Sequence, residues 1–409
     1  MSTLTMSRPV TRALPPSPVK PKRIKSIDLL RGTIMIIMAI DHVRDYFHKE
    51  AFLYSPTDLS KTSIVLFLTR LITHFCAPIF IFLAGVSAFL YGAKRSKKEL
   101  SFFLLTRGIW LVFVELFILV FFHTFNPMYT HFNLQVIWAI GVCMIVLSAL
   151  IYLDRRLILF ISILLIAGHN LLDGIHVPGG GLGSFLWALV HDPGGFTFGH
   201  TTVSVVYPVL PWIGVILLGY CFGALFTNDY DPARRQRNLF YLGVASLILF
   251  VALRAGNFYG DAAHWSVQKN FAFSMLSFLN VTKYPPSLLY ILLTLGVALL
   301  FLSVAEKPLN AITSKITVFG RVPMFYYLAH ILLIHLLAVV GAVLSGYKWS
   351  VMVLHTRVNS SPELKGYGFS LLTVYMVWVL LIVTLCPLCK WFDNYKRTNQ
   401  SKYWWLSYL

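Results

Sequence analysis

Asp41, His42, Arg44 and Asp45 crowd the end of an otherwise oily stretch, RGTIMIIMAIDHVRDYFH (residues 31–48), which opens on Arg31 and closes on His48. An imidazole beside carboxylates can be oriented and its pKa drawn toward neutrality, which is what a general base requires. His42 is the first candidate for that base and His48 the second, with Asp41 or Asp45 expected to orient the ring. The competing reading is a polar cap where a helix meets water.

On a helix at about 100° per residue, with Arg31 at zero, His42 falls at about 20°, Met35 at about 40°, Met38 at about −20°, Asp45 at about −40° and Asp28 at about 60°. The polar residues at both ends therefore share a face with methionines between them. Arg31 and His42 lie about 16 Å apart along the axis. Charged groups at membrane depth face a bundle interior or a wet cavity. The stripe is predicted to line a passage inside the protein. Asp28 and Arg31, three apart, can pair on the helix surface, as an anchor or with Arg31 left to meet phosphate.

The rest of the chain must hold this helix. Of 409 residues, 57% are hydrophobic and only 12% charged. A soluble domain averages about a quarter charged residues, so the composition predicts an integral membrane protein. The net charge of +18 does not point to nucleic acid, because the basic residues sit in short clusters between apolar runs.

An all-α polytopic bundle of about ten spans is expected at 27–47, 64–92, 100–123, 133–153, 157–172, 204–227, 237–254, 285–305, 316–345 and 367–390. Lys94, Arg95, Lys97 and Lys98, then Arg155 and Arg156, then Arg234, Arg235 and Arg237, and finally Lys307 and Lys315 fall on one side. The opposite loops near 124–132 and 173–203 hold no lysine or arginine. That alternation puts both termini in the cytoplasm. It also makes 184–200 an interfacial or re-entrant piece rather than an eleventh span. Residues 1–25 read as a disordered basic cytoplasmic tail, 26–395 as the membrane domain and 396–409 as a second cytoplasmic tail. The outer loop 173–203 is rich in glycine and histidine, and its GGGLG lacks the βαβ surroundings of a dinucleotide fingerprint. The five cysteines lie in or beside apolar runs, and the Cys386/Cys389 pair carries little weight as a redox or zinc motif. No metal is expected.

KSIDLLRGTIMIIMAIDH (25–42) resembles the opening motif of the heparan-α-glucosaminide N-acetyltransferase-like membrane acyltransferases and their bacterial relatives. APIFIFLAGVSAFLYG (77–92), NLQVIWAIGVCMI (133–145), PWIGVILLGYCFG (211–223) and GRVPMFYYLAH (320–330) are similar to later helices of that family, in order. The resemblance implies transfer of an acetyl group from cytoplasmic acetyl-CoA to an amino-sugar or glycan acceptor across the membrane. The family's catalytic histidine follows the first helix. His48 is its nearest match by position, whereas the residue matching His42 is an asparagine in the animal enzyme. SPTDLS (55–60) replaces a longer stretch there, so the acceptor is open.

These lines combine into one expected arrangement. Arg31, Arg107 and Arg321 would meet the phosphates of acetyl-CoA at the cytoplasmic mouth. The pantetheine arm would run along Met35 and Met38, and the thioester would arrive at His42. Asp28 beside Arg31, and Gln135 in the fourth span with Asn133, complete the cofactor-side candidates. His74, His330 and His335 are supporting polar residues; for His74 and His335 a satisfied core role outweighs catalysis. Membrane lipids are the other partner, with self-association into a dimer allowed and a bacterial inner membrane favoured over a lysosomal one. The alternative is a proton- or solute-coupled secondary transporter, which would need no CoA and would often show inverted repeats.

Overall fold

The computed structural model describes residues 24–408. The tail expected at 1–25 lies, up to residue 23, outside the described residues. Helix α1 (Lys25–Phe47) is followed by α2 (Ile64–His74) and α3 (Cys76–Gly92). Next come α4 (Lys97–Phe113), a π-helical turn at Val114–Leu119 and α5 (Val120–Thr124). Then α6 (Val136–Leu150), α7 (Arg155–Gly168), α8 (Leu182–Val190), α9 (Val209–Phe222), α10 (Pro232–Gly256) and α11 (Phe271–Leu279) follow. Helices α12 (Leu288–Val304), α13 (Ala311–Arg321), α14 (Pro323–Leu344) and α15 (Leu371–Asn399) complete the bundle.

Seven of the helical segments are long and apolar enough to cross a membrane. Helix α1 is not among them, because Asp28, Arg31, Asp41, Arg44 and Asp45 interrupt its apolar run. Helices α6 and α12 are apolar but shorter. Each of the ten segments expected from hydropathy contains one of these helices. Outward faces remain apolar, as on α15, where Leu372, Met376, Val379, Leu380 and Val383 are all more than half exposed. That pattern suits lipid rather than water.

Local sequence sets the helix ends. Ser96 and Glu99 form a reciprocal capping box at α4, and Asn310 and Thr313 do the same at α13. Asp231 caps α10, with Pro232 at its first position. Pro323 begins α14 and leaves Val322 outside the α-helical region, so the segment expected as one span at 316–345 is two helices. Helix α15 runs through Asn399, into the segment expected as a tail, and Tyr408 reaches back to Thr106 at 3.4 Å.

Three β-strands stand outside this all-helical plan. β1 (His131–Leu134) pairs in parallel with β3 (Thr201–Val205), and β3 pairs antiparallel with β2 (Gly194–Phe198). The β2–β3 hairpin turns at Gly199, whose φ of +61° favours glycine. The stretch expected as interfacial or re-entrant is therefore a nine-residue helix, α8, leading into this hairpin. Asn133 and Gln135, expected on a helix, lie on β1 and at the N-cap of α6.

The bundle packs closely where small residues allow. A Cβ on Gly32 would run into the carbonyl oxygen of Ile316, and one on Gly320 into that of Asp28, so the backbones of α1 and α13 touch. Gly85 and Gly219 do the same for α3 and α9. Close backbone approach at small residues is the usual membrane helix contact.

Candidate active site

A cavity of about 790 Å³ lies between the C-terminal half of α1 and residues of α2, α5, β1 and the loops 280–284 and 356–359. Asp41, His42, Asp45 and Gln135 all line it. So do Asn133 and His74, the latter at the break between α2 and α3.

His42 is held by His330 of α14. The two rings stack with centroids 5.0 Å apart and 21° between planes, and His42 Nδ1 lies 2.8 Å from His330 Nε2. The Tyr326 ring stacks on the far face of His330. His330 Nδ1 lies 2.9 Å from the Tyr326 carbonyl oxygen. A carbonyl can only accept, so in neutral His330 the proton sits on Nδ1 and Nε2 carries the lone pair. His42 must then donate from Nδ1, which leaves its Nε2 basic. The network thus fixes the tautomer of the cavity-lining ring.

The carboxylates do not perform the role expected of them. Asp41 Oδ2 accepts from Arg70 at 2.5 Å, and its Oδ1 pairs with Arg44 at 2.9 Å. Asp45 accepts from the same Arg44 nitrogen at 2.8 Å. Adjacent residues on a helix diverge by about 100°, so Asp41 points away from the His42 ring. Asp41 ties α1 to α2 through Arg70, Asp45 pairs within α1 with Arg44, and the imidazole is oriented by another imidazole.

Further charge enters from groups that the sequence reading did not single out. Arg70 sits in the apolar run IVLFLTRLITH, where a lone arginine is itself a signal. Lys283, Tyr284 and Arg357 line the cavity from loops. Glu115 lies on the π-helical turn and accepts from the backbone N–H of Trp138 at 3.1 Å, in the first turn of α6. A carboxylate there meets the positive end of the helix dipole. A π turn inside an apolar helix often marks a functional position.

Loop groups at the cavity have shifted protonation. Burial pushes Tyr284 up, but Lys283 and Arg70 outweigh it and hold the phenol below its ordinary value. Burial, helped by the charge of Arg357, pushes His131 down to about 4, and its Nδ1 lies 2.8 Å from the Thr202 hydroxyl.

His48 lies apart from the cavity lining. It caps α1 through a backbone bond to the Arg44 carbonyl, bridges to Phe369, and is 3% exposed. Its Nε2 is 4.0 Å from Glu50, and burial lowers its pKa. His335 sets both ring nitrogens against carbonyl oxygens, of Phe122 and Met352, and a neutral imidazole can donate to only one of the two.

The cations expected to meet the cofactor's phosphates lie elsewhere. Arg31 donates to Ser87 at 2.9 Å and to the Gly320 carbonyl at 3.2 Å, and pairs with Asp28 at 3.6 Å. Arg321 donates to Asp393 at 2.8 Å. Arg107 lies over the rings of Phe103 and Tyr408. Along α1 the cavity lining begins at Met38, and neither Met35 nor Arg31 belongs to it. The expected stripe therefore faces the interior, with Met35 and Met38 each 4% exposed, but Arg31 and His42 do not share one open passage in this structure.

Comparison with known proteins follows the same outline. No curated protein matches the chain. A family model for the heparan-alpha-glucosaminide N-acetyltransferase catalytic region matches residues 23–259, more than half of the sequence. The match takes in His42, Asp41, Arg44 and Arg70, while His330 and Lys283 lie beyond it. The chain is thus a multi-pass membrane protein of acyltransferase type, and it belongs to the heparan-alpha-glucosaminide N-acetyltransferase family.

Proposed function

We propose that the protein moves an acetyl group from acetyl-CoA to an amine or hydroxyl of an amino sugar or glycan, with His42 as general base. The His42–His330 hydrogen bond carries this reading, because it leaves a basic Nε2 on a cavity-lining ring. His42 Nε2 takes the acceptor's proton as the acceptor attacks the thioester carbonyl carbon. The C–S bond then breaks, and the imidazolium returns the proton to the CoA sulfur. His330 holds its lone pair on the His42 Nδ1–H throughout, so the ring turns neither before nor after proton transfer. A two-step route with an acetyl-histidine would use the same nitrogen.

The cavity volume suits a sugar with the acyl end of the donor. Gln135, at the rim of α6, is placed to meet the pantetheine arm. In this reading Arg31, steadied by Asp28, joins Arg107 and Arg321 in receiving the donor's phosphates on the cytoplasmic side. Donor access then requires the Met35–Met38 stretch to open, which unbranched thioether side chains permit. The ten segments would cross the membrane with both termini in the cytoplasm, in a bacterial inner membrane.

The test is incubation of the purified protein with labelled acetyl-CoA and a panel of amino sugars and glycans. Labelled acceptor is expected from the wild type and not from His42→Ala. Proton or solute flux in vesicles that ignores CoA, without any acetylated product, would overturn the acyltransferase reading in favour of transport.

A further inference from the structure

The glycine- and histidine-rich outer loop carries a second cluster, distant in sequence from the His42 cavity. His169 and Asp173 lie four apart in the helical turns that end α7, and His191 follows α8. One ligand atom from each of the three lies within 4.8 Å of the others. His191 Nε2 is 3.1 Å from Asp173 Oδ1, and the two imidazoles meet edge to face with centroids 5.6 Å apart.

His169 is the observation that asks for a ligand. It is 2% exposed, and neither ring nitrogen has a hydrogen-bond partner among the described residues. His191 is equally buried, and its Nδ1 also lacks a partner. Burying imidazole nitrogens without partners is unfavourable, and two such rings beside one carboxylate are rarely left so. The carboxylate is itself held: Asn170 donates to Asp173 Oδ2 at 2.8 Å, while its own oxygen accepts from the backbone N–H of Leu288 at 2.9 Å. Second-shell bonds of this kind orient the ligands of a metal.

We propose that His169, Asp173 and His191 bind a zinc ion. Two imidazole nitrogens and one carboxylate oxygen are a usual zinc donor set, with the fourth tetrahedral position left to water. Ligand atoms about 2.0 Å from one ion lie about 3.3 Å apart, close to the His191–Asp173 spacing, and the His169 nitrogen lies within 4.8 Å of both partners' ligand atoms. The Asp173 side chain is 21% exposed and gives the ion a path from solvent.

The ion's work is mechanical. It joins the end of α7 to the end of α8, directly before β2. That strand leads through β3 to β1, and β1 carries Asn133 into the cavity wall. Zinc at this point fastens the outer hairpin to the helical bundle.

The experiment uses the full chain, purified without a histidine tag, stripped with EDTA, re-equilibrated with zinc chloride and freed of excess metal by gel filtration. About one zinc per chain is expected by mass spectrometry. Zinc should raise the thermal midpoint by on the order of 5 °C. His169→Ala and Asp173→Asn, checked for helical content and monodispersity, should lose both the bound zinc and the shift. Cobalt in place of zinc should give the visible absorption of a tetrahedral ion. Wild-type protein that retains no stoichiometric zinc and shows no thermal shift overturns the proposal. So does zinc held equally by the wild type and by both variants, which would be an adventitious ion only.

Discussion

His42 on α1 and His330 on α14 stack face to face and share a 2.8 Å hydrogen bond across 288 residues of sequence. The second ring does for the first what a carboxylate does in more familiar catalytic sets, but without adding charge. It fixes the tautomer through the Tyr326 carbonyl and leaves Nε2 of the first ring facing the cavity side of the network.

Removing each ring separately separates their roles. His42→Ala should abolish acetyl transfer, a loss of roughly 10²–10⁴ in kcat for a general base, with the protein still folded. His330→Phe keeps the stack but removes the acceptor. It should lower kcat by about tenfold or more while the acetyl-CoA KM stays near wild type. Steady-state kinetics on both variants check this, and full activity in His42→Ala would remove His42 from the role of base.

The Asp41–Arg44–Arg70 knot is expected to be structural. Arg70→Ala leaves a half-buried carboxylate with one cation fewer; breaking a fully buried pair costs about 3–5 kcal/mol, which is the upper bound here. Asp41 keeps Arg44 at 2.9 Å, so the loss falls at or below the lower end of that range. Thermal unfolding in detergent measures the loss. A midpoint unchanged by Arg70→Ala would mean that the pairing contributes nothing to the fold.

Arg31 has two separable expectations. Its removal strips the buried Asp28 of a cation and releases the contacts to Ser87 and Gly320, so Arg31→Ala should lower the thermal midpoint. Donor binding by Arg31 would add a several-fold rise in the acetyl-CoA KM with kcat preserved. An unchanged KM in the folded variant confines Arg31 to holding α1 against α13.

His131 makes stability depend on pH in a defined window. Its folded pKa lies near 4, below the ordinary value of 6.5. A histidine buried neutral must be protonated at a penalty when the pH falls. Its contribution is fully present above the ordinary value and is lost as pH drops from there through about 4. The span of the shift sets an upper limit of about 3 kcal/mol. Thermal midpoints measured across that window should fall more steeply for the wild type than for His131→Gln. Parallel curves would show that the titration lies elsewhere.

The first helix was legible in the sequence because its polar residues fall on one face of a 3.6-residue period while the rest is apolar. That pattern places His42 and Asp45 at the cavity without any knowledge of tertiary contacts. The partners were harder to read. Neighbouring Asp41 looks like the natural orienting group for His42, yet consecutive helix positions face apart, and the true partner lies on α14. Arg70 and Glu115 were visible in principle, Arg70 as the sole charge of its apolar run and Glu115 as one of two with Arg107. A search for long hydrophobic spans treats such residues as noise. The break before Pro323 was also legible from proline's effect on the preceding residue. The alternation in TTVSV (201–205) after a glycine turn is a strand signal. The parallel pairing of β1 with β3, about 70 residues apart, left no local trace.

The arginine knot on α1 and α2 also bears on how relatives of this chain diverge. Asp41 answers to two cations and Arg44 to two carboxylates. A lineage that altered one member would leave a neighbour's charge uncompensated at the cavity wall, so drift at these positions has no easy single step. Asp41, Arg44 and Arg70 should be inherited or replaced as a set, even where the loops around them have changed beyond recognition.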